Sequence, residues 1–531
     1  MERPTNRLRH CAAAILLLLG LLVQARPAFA DQQDIAAASR SVVRVALVAT
    51  KGDGAYFVGH GSGIVIAPNK VLTNAHVVEL VREEPNIVIG VVPAEGSRSY
   101  GAKIIAFSPG NDLALLEVTG GAALPVATFY AAATQDGQGV IAIGYPGNVD
   151  RAQGMALADI IQPMTPVKTS GTISTGRSSK QFDTVLHTAP MAAGNSGGPL
   201  VDACGRVLGV NSFGSISDGS DAEYGFAVSN REVASFLRQA GVQPQRTIVP
   251  CRSLADIDAA ERNATERAKF EADSKAAADA EKVRERSIRA RQDAEQSVIA
   301  LRENFIAGAA VALALALVTA GIAGISYTQG KTRVVRNFGI ASGVLLIASL
   351  AAFFLRPSFS QVDDRAAAIA QEMAAKDGSS EEGTTRVSGD KIVGDNMCRI
   401  DIDRSRVTVS DTSDVPLNWN GKGCINGKSQ LVQNGAHWTR ILVPDSEPSA
   451  SVQTVDPATG TYRSDKYLLD AATADAARKA RSAVTFQGCT TEAGQLDGIA
   501  RMDAGIRSLL PPEPNERLVY RCTPGKAPEI P

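Results

Sequence analysis

Two long apolar runs in the second half of the chain restrict its architecture more than any other feature. Residues 305–327 and 337–355 carry no charged side chain, and each is long enough to cross a hydrocarbon core of about 30 Å. The segment between them, residues 328–336, holds three basic side chains, Lys331, Arg333 and Arg336. Short basic loops face the cytoplasm, so this one is predicted to be cytoplasmic. The runs therefore predict two transmembrane helices, with everything before 305 and after 355 on the far side; a buried hairpin of a soluble protein is the alternative.

Residues 1–30 have the pattern of a secretory signal peptide. Arginines precede the apolar run AAAILLLLGLLV, and the small-residue sequence AFA ends at Ala30. The apolar run is short for a membrane span of roughly 20 residues, so cleavage after Ala30 is favoured over an uncleaved anchor. A signal peptide predicts export of the residues that follow it, and the basic loop likewise places the residues before 305 outside the cytoplasm.

The cysteines also point to an exported protein. Cleavage would remove Cys11 and leave Cys204, Cys251, Cys398, Cys424, Cys489 and Cys522. An even number of cysteines in an exported chain predicts disulfides, and the absence of any CxxC spacing argues against a metal site. A bridge between Cys204 and Cys251 would tie the end of the first domain to its body, although these cysteines allow other pairings.

The remaining composition divides the chain into regions. Residues 36–250 are rich in Gly, Val and Ile, with short alternating runs such as SVVRVALVAT, which predicts an all-β sandwich or barrel. Residues 252–304 lack Gly and Pro and are dense in Ala and charged residues, which predicts a helical stalk. Large apolar side chains are sparse there, so a solvated single helix is favoured over a loose coiled coil.

The chain ends in a second exported region. Residues 356–385 are predicted to be a linker with a short helix near 361–376. Residues 386–531 mix strand-like runs (CRIDI, RVTVS and HWTRILV) with an Ala-rich helix near 470–484, and they contain four of the cysteines. This pattern predicts a small, disulfide-containing α+β domain to which no motif assigns a role.

The candidate chemistry centres on GNSGGPL, residues 194–200. Ser196 in this sequence needs a base to take its proton during attack on a carbonyl carbon. His76, in VLTNAHVV, can supply that base, and Asp112, in GNDLALLEV, can fix the imidazole tautomer and stabilise its charged form. Gly194 allows a backbone turn that directs its own N–H and that of Ser196 to one point, as an oxyanion hole requires.

These three motifs, in this order, resemble those of trypsin-like serine proteases, and in particular exported bacterial proteases of the HtrA/Deg type. GSGIVIA, GYPG and GVNSFG also fit, and the resemblance covers residues 36–240. It implies a double six-stranded β-barrel with His76 as base, Asp112 as orienting acid and Ser196 as nucleophile. It further implies an oxyanion hole at Gly194 and Ser196, and a substrate-binding surface that comprises Ser212, Phe213, Gly214, Gly225 and Phe226.

Departures from the family pattern refine these expectations. Asn195 stands where digestive relatives carry an aspartate that pairs with a newly cut N-terminus, so activation of that type is not expected. Pro190 stands near the acidic pocket base of arginine-selective relatives, which favours a small or medium apolar residue before the scissile bond. No PDZ-like domain follows the protease region, which is instead followed by the stalk and the two apolar runs.

The sequence thus predicts a serine endopeptidase of the bacterial inner membrane, with its protease and C-terminal domains in the periplasm. Its partners would be protein or peptide substrates and the lipid bilayer, and a homo-oligomer is compatible with the sequence. A net charge of −1 gives no reason to expect a nucleic-acid partner, and the mechanism requires no metal or cofactor. The alternatives are a membrane-bound sensor or scaffold with an inactive or signalling protease domain, and an esterase on the same scaffold. His60 and His187 are assigned structural roles only.

Overall fold

The structure is a computed structural model that describes residues 32–51, 54–178, 182–215, 223–378, 392–484, 486 and 488–525. The predicted signal peptide lies outside these residues. The described chain forms two compact units. One comprises the protease region together with the C-terminal domain, and the other consists of helices between residues 262 and 387.

The first half of the protease region is a closed six-stranded antiparallel barrel with strand order β1-β2-β3-β6-β5-β4. Its strands are β1 (Val42–Lys51), β2 (Gly54–Ala67), β3 (Lys70–Thr73), β4 (Ile87–Pro93), β5 (Tyr100–Ser108) and β6 (Leu113–Val118). Alternating apolar side chains such as Val43, Val45 and Leu116 point inward and are fully buried, as the pleat of a half-buried strand requires. Three short helices accompany it, namely α1 (Gln32–Ser39), α2 (Ala75–Val78) and α3 (Leu80–Glu83).

A second barrel follows. Its six strands close through the pairing of β11 with both β8 and β12, and two further strands, β7 and β14, extend the sheet beyond β12. The strands are β7 (Thr128–Tyr130), β8 (Gly139–Gly144), β9 (Val167–Ser178), β10 (Asp183–His187), β11 (Pro199–Val201), β12 (Val207–Gly214), β13 (Gly225–Ser229) and β14 (Gln245–Thr247). Its helices are α4 (Gly147–Ala152), α5 (Leu157–Ile160) and α6 (Asn230–Gln239). The predicted double six-stranded barrel is confirmed.

One apolar cluster joins the two barrels. Leu72 and Leu115 of the first barrel pack in the same fully buried cluster as Ile143 and Val210 of the second. Side chains at this junction are therefore held in fixed positions, as close packing in a protein interior requires.

The helical unit contains three helices, namely α7 (Leu254–Thr328), α8 (Thr332–Phe354) and α9 (Gln361–Gly378). Ser253 caps the first of them, since its Oγ accepts the N–H of Asp256 at 3.1 Å. The predicted stalk and first apolar run are one continuous helix, and the second run lies in α8. By length and composition α7 and α8 are the two helices in the described residues that could cross a membrane.

The connection between these helices is shorter than the predicted loop 328–336. Helix α8 begins at Thr332, so Arg333 and Arg336 lie in its first turns. Gly330 adopts a φ of 71°, a left-handed conformation that lets the chain reverse within a few residues.

The C-terminal domain is a nine-stranded sheet with order β18-β17-β16-β15-β23-β22-β21-β20-β19. Its strands are β15 (Gly394–Ile400), β16 (Val415–Trp419), β17 (Cys424–Ile425), β18 (Ser429–Gln430), β19 (Val432–Asn434), β20 (His437–Leu442), β21 (Ser449–Asp456), β22 (Thr461–Leu468) and β23 (Glu516–Pro524). Two helices, α10 (Ala471–Arg481) and α11 (Ala493–Arg507), accompany the sheet. The sequence predicted α10 but not α11.

RVTVS, residues 406–410, was expected to be a strand and is an irregular segment instead. The Glu516 carboxylate accepts the backbone N–H groups of Thr408, Val409 and Ser410. These three N–H groups therefore have hydrogen-bond acceptors without a neighbouring strand, so the segment need not pair in a sheet.

Candidate active site

His76 and Asp112 are brought together by the pairing of two strands in the first barrel. Strand β3 pairs with β6 so that Thr73 lies opposite Ala114. His76 follows β3 in helix α2, and Asp112 directly precedes β6, so both lie at the same end of the strand pair. The side-chain amide of Asn74 donates a hydrogen bond to the backbone carbonyl of Asp112 at 2.8 Å, which links the two segments. Asp112 has a φ of 53°, an uncommon conformation that such surrounding contacts must hold in place.

The imidazole of His76 is oriented by this carboxylate. Its Nδ1 lies 3.0 Å from Asp112 Oδ1 and 2.9 Å from Oδ2, and the His76 backbone N–H donates to Oδ1 at 3.1 Å. A carboxylate acceptor favours the tautomer with a proton on Nδ1, which leaves Nε2 as the basic nitrogen. Burial alone would raise the pKa of Asp112, but hydrogen bonds from His76 and Ser212 outweigh it and hold that pKa below its usual value. Asp112 therefore stays ionised beside the ring.

Ser212 links the acid to the candidate nucleophile. Its Oγ donates to Asp112 Oδ2 at 2.5 Å, and its carbonyl accepts the Ser196 hydroxyl at 2.7 Å. In the part of the chain that the structure describes, the Ser196 hydroxyl bonds to this carbonyl and not to His76. The three predicted residues therefore meet around Ser212, which belongs to β12 of the second barrel.

The residues before Ser196 form a type II turn. Asn195 N–H donates to the Ala192 carbonyl at 3.0 Å, and Gly194 has a φ of 104°, as the third residue of a type II turn requires. The Ala193 carbonyl accepts the N–H of Gly147 at 2.8 Å. Because C=O and N–H point in opposite directions in a trans peptide, the Gly194 N–H is directed away from Gly147.

Two N–H groups are left available by this turn. Within the described ranges, neither Gly194 N–H nor Ser196 N–H donates a hydrogen bond to another residue. The Gly194 carbonyl is also fixed, since it accepts Ser62 Oγ at 2.7 Å. The loop is thus held at two successive carbonyls with its N–H groups free, as a preformed oxyanion hole requires.

His60 supports this loop from behind, a role that the sequence interpretation missed. Its Nε2 lies 2.7 Å from the Tyr145 carbonyl and 3.4 Å from Asp150 Oδ2. A Cβ placed on Gly194 would lie 2.2 Å from that same carbonyl and 2.7 Å from His60 Nε2. Burial lowers the pKa of His60, so the ring is held neutral. His60 therefore packs directly behind the turn that carries Gly194.

The predicted substrate-binding residues lie on paired strands. Gly214 of β12 lies opposite Gly225 of β13. Phe213 is 43% exposed and stacks on Phe226, with ring centroids 4.7 Å apart. A Cβ on Gly225 would lie 2.3 Å from the ring of His187, which is fully buried behind it. The strand pair thus offers an accessible backbone edge next to Ser196, with an aromatic surface beside it.

The predicted cysteine pair forms a disulfide. Cys204, in the turn between β11 and β12, is joined to Cys251 by a disulfide. The C-terminal domain contains two further disulfides, Cys398–Cys522 and Cys424–Cys489.

The sequence around these residues is similar to a known protein family. Residues 61–210 match the family model for a trypsin-like peptidase domain. This part of the chain is therefore similar to trypsin-like peptidase domains. The match includes His76, Asp112 and Ser196, and it ends within β12.

Three curated relatives are similar to the same region. Serine protease Rv3671c of Mycobacterium tuberculosis is 33% identical over 223 residues, which are 42% of this chain and 51% of that protein. Magnetosome formation protease MamE of Paramagnetospirillum magneticum is 33% identical over 201 residues, 35% of this chain and 24% of that protein. Periplasmic serine endoprotease DegP of Escherichia coli is 28% identical over 191 residues, 34% of this chain and 36% of that protein. The chain spans about half of the first relative's length and less of the others.

The chain is also similar to a solved structure, the active form of Rv3671c protease from M. tuberculosis. It has 27% sequence identity and a TM-score of 0.32, and the alignment covers 42% of this chain and 94% of that chain.

The Gly194→Ala variant should lose the oxyanion hole. The added methyl group has no space beside the Tyr145 carbonyl, and alanine disfavours a positive φ, so the Ala193–Gly194 peptide must move. Loss of one oxyanion donor typically lowers kcat by about 100-fold or more. Turnover of fluorescent casein measures the effect, with Gly139→Ala as control because a Cβ at Gly139 meets no atom within 4 Å. Unchanged turnover in Gly194→Ala would contradict this assignment of the hole.

His187 should make the stability of the protease domain pH-dependent. Burial lowers its pKa to about 4, so its stabilising contribution is present above the unfolded pKa of about 6.5 and is lost as pH falls toward 4. Between pH 7 and pH 5 the loss should be on the order of 2 kcal/mol. His187→Leu, which cannot be protonated, should show a smaller decrease in Tm over this range than the wild type. Equal decreases in the two proteins would show that His187 is not buried in its neutral form.

Proposed function

We propose that this chain is a membrane-anchored serine endopeptidase that cleaves exposed protein segments through an acyl-enzyme. His76 is the general base, Asp112 its orienting acid and Ser196 the nucleophile. The observation that carries the proposal is the continuous hydrogen-bonded path from His76 through Asp112 and Ser212 to Ser196, next to a turn with two free N–H groups.

Each group has a defined task in the reaction. Ser196 Oγ attacks the substrate carbonyl carbon as His76 Nε2 takes its proton, and Asp112 stabilises the resulting imidazolium. The negative charge on the carbonyl oxygen is accepted by the N–H groups of Gly194 and Ser196. His76 then delivers its proton to the leaving amine, and water repeats the sequence on the ester to release the acid product.

Substrate binding can release the nucleophile from its resting hydrogen bond. An extended peptide that adds to the edge of Ser212–Gly214 offers a backbone N–H to the Ser212 carbonyl. That N–H competes with the Ser196 hydroxyl, which now bonds to this carbonyl at 2.7 Å. The hydroxyl is then free to turn toward His76, so a bound peptide strand increases the reactivity of the nucleophile. The stacked pair of Phe213 and Phe226 favours an apolar residue next to the scissile bond.

The first test is covalent labelling of the full chain in membranes. A fluorophosphonate probe reacts with an activated serine and not with an ordinary hydroxyl. We expect labelling and casein cleavage in the wild type, loss of both in Ser196→Ala, and full retention in Ser287→Ala, whose serine lies on the exposed part of α7.

The same experiment separates the competing functions. A wild type that is not labelled would support a sensor or scaffold with an inactive protease domain. A labelled wild type that hydrolyses ester substrates but not casein would support an esterase.

We also propose that the protease and C-terminal domains share one face of the membrane, the periplasmic face. Arg406 of the C-terminal domain contacts Asp34 of the protease region at 2.5 Å, and Arg404 contacts Glu261 at 2.5 Å. Segments that are in contact must lie on the same side of a bilayer. If both α7 and α8 cross the membrane, the chain returns to the side on which it started, whereas a single crossing would separate the two domains. The basic residues around Gly330 favour the cytoplasm for the short connection.

Single cysteines labelled from outside the cell measure this topology. In spheroplasts, a membrane-impermeant maleimide should react with Ser287→Cys and should reach Gly330→Cys only after the membrane is lysed. All six cysteines of the described chain are in disulfides and give a low background. Labelling of Gly330→Cys in intact spheroplasts would overturn the proposed orientation.

A further inference from the structure

The C-terminal domain is joined to the protease region by buried charged groups. Asp34 of helix α1 is completely buried and binds Arg406 Nη2 at 2.5 Å and Asn515 Nδ2 at 3.2 Å. Arg406 also donates to the Asn515 carbonyl and, through Nε, to the Arg252 carbonyl at 3.1 Å. A buried carboxylate depends on such partners, so removing Arg406 takes a charged partner away from Asp34.

A second contact joins the core of the C-terminal domain to the protease. Val249 is completely buried in the same apolar cluster as Trp419 and Tyr520 of the C-terminal sheet. Its carbonyl accepts a hydrogen bond from Arg206 Nη1. Arg206, in turn, is buried in an ion pair with Asp202 at 2.5 Å. The C-terminal domain therefore reaches the turn that contains residues 202–206.

This turn is part of the active-site scaffold. It connects β11, which follows Ser196 after two glycines, to β12, which carries Ser212. Helix α1 lies directly on it, since a Cβ on Gly205 would be 2.9 Å from Ala38 Cβ and 3.0 Å from the Asp34 carbonyl. Arg406 thus holds α1, and α1 covers the hairpin that positions the nucleophile and its link to Asp112.

We propose that residues 392–525 are an intramolecular partner of the protease, and that their docking on Asp34 holds the β11–β12 hairpin in its catalytic arrangement. This inference rests on the proposed peptidase function, and it gives the C-terminal domain a role that its sequence does not indicate. The domain that completes the contact is made after both apolar helices, so peptidase activity is restricted until this domain has been synthesised and exported.

The test compares full-length variants in membranes. Arg406→Ala and Asp34→Ala should each label with fluorophosphonate at least tenfold more slowly than the wild type. The double variant should be no slower than either single one, because both changes remove the same contact. Arg399→Ala is the matched control, since its partner is Asp414 at 3.6 Å on the surface of the same domain. It should label at the wild-type rate.

Hydrogen exchange distinguishes lost docking from a lost fold. Docking predicts faster exchange in residues 199–210 of Arg406→Ala, with unchanged protection in β1–β6 of the first barrel. Labelling of Arg406→Ala at the wild-type rate would overturn the inference, as would loss of protection throughout both barrels. An unlabelled wild type would instead contradict the peptidase function itself.

Discussion

The hydrogen bond from Ser212 to Asp112 spans the junction of the two barrels, and the candidate site depends on it. His76 and Asp112 are supplied by the first barrel, whereas Ser196 and Ser212 are supplied by the second. A 2.5 Å contact between barrels fixes the distance between acid and nucleophile only if both barrels are rigid. The shared apolar cluster at the junction supplies that rigidity, because a closely packed interior resists relative movement of its elements.

The oxyanion turn is held in place by residues distant from it in sequence. Gly147 and Ser62 fix the carbonyls of Ala193 and Gly194, and His60 fills the space behind the turn. A type I turn at the same four residues would direct the Ala193 carbonyl into the hole and leave the enzyme inactive. The C-terminal domain contacts Asp34 and Val249. The proposed site is therefore stabilised by this domain as well as by residues of the two barrels.

Local motifs led to the prediction of His76, Asp112 and Ser196, because each lies near a strand end with a recognisable sequence. Strand periodicity predicted an all-β sandwich or barrel, and the resemblance to trypsin-like proteases implied the two six-stranded barrels. Length and charge predicted the apolar helices. The supporting residues could not be found this way. His60 acts through the backbone carbonyl of Tyr145, and Glu516 turns RVTVS into an irregular segment by taking its N–H groups; neither partner is visible in a local pattern. Docking of the C-terminal domain likewise depends on pairs more than 300 residues apart, such as Asp34 and Arg406.

The most direct measurement is an experimental structure of the full chain after reaction with a phosphonate inhibitor. We expect a bond from phosphorus to Ser196 Oγ, with one phosphonyl oxygen about 2.7–3.1 Å from the N–H groups of Gly194 and Ser196. The Ala193 carbonyl should still accept the hydrogen bond from the Gly147 N–H, and the Ser212 hydroxyl should still donate to Asp112. A phosphonyl oxygen directed to solvent, with the Ala193 carbonyl turned into the hole, would contradict the proposed active site.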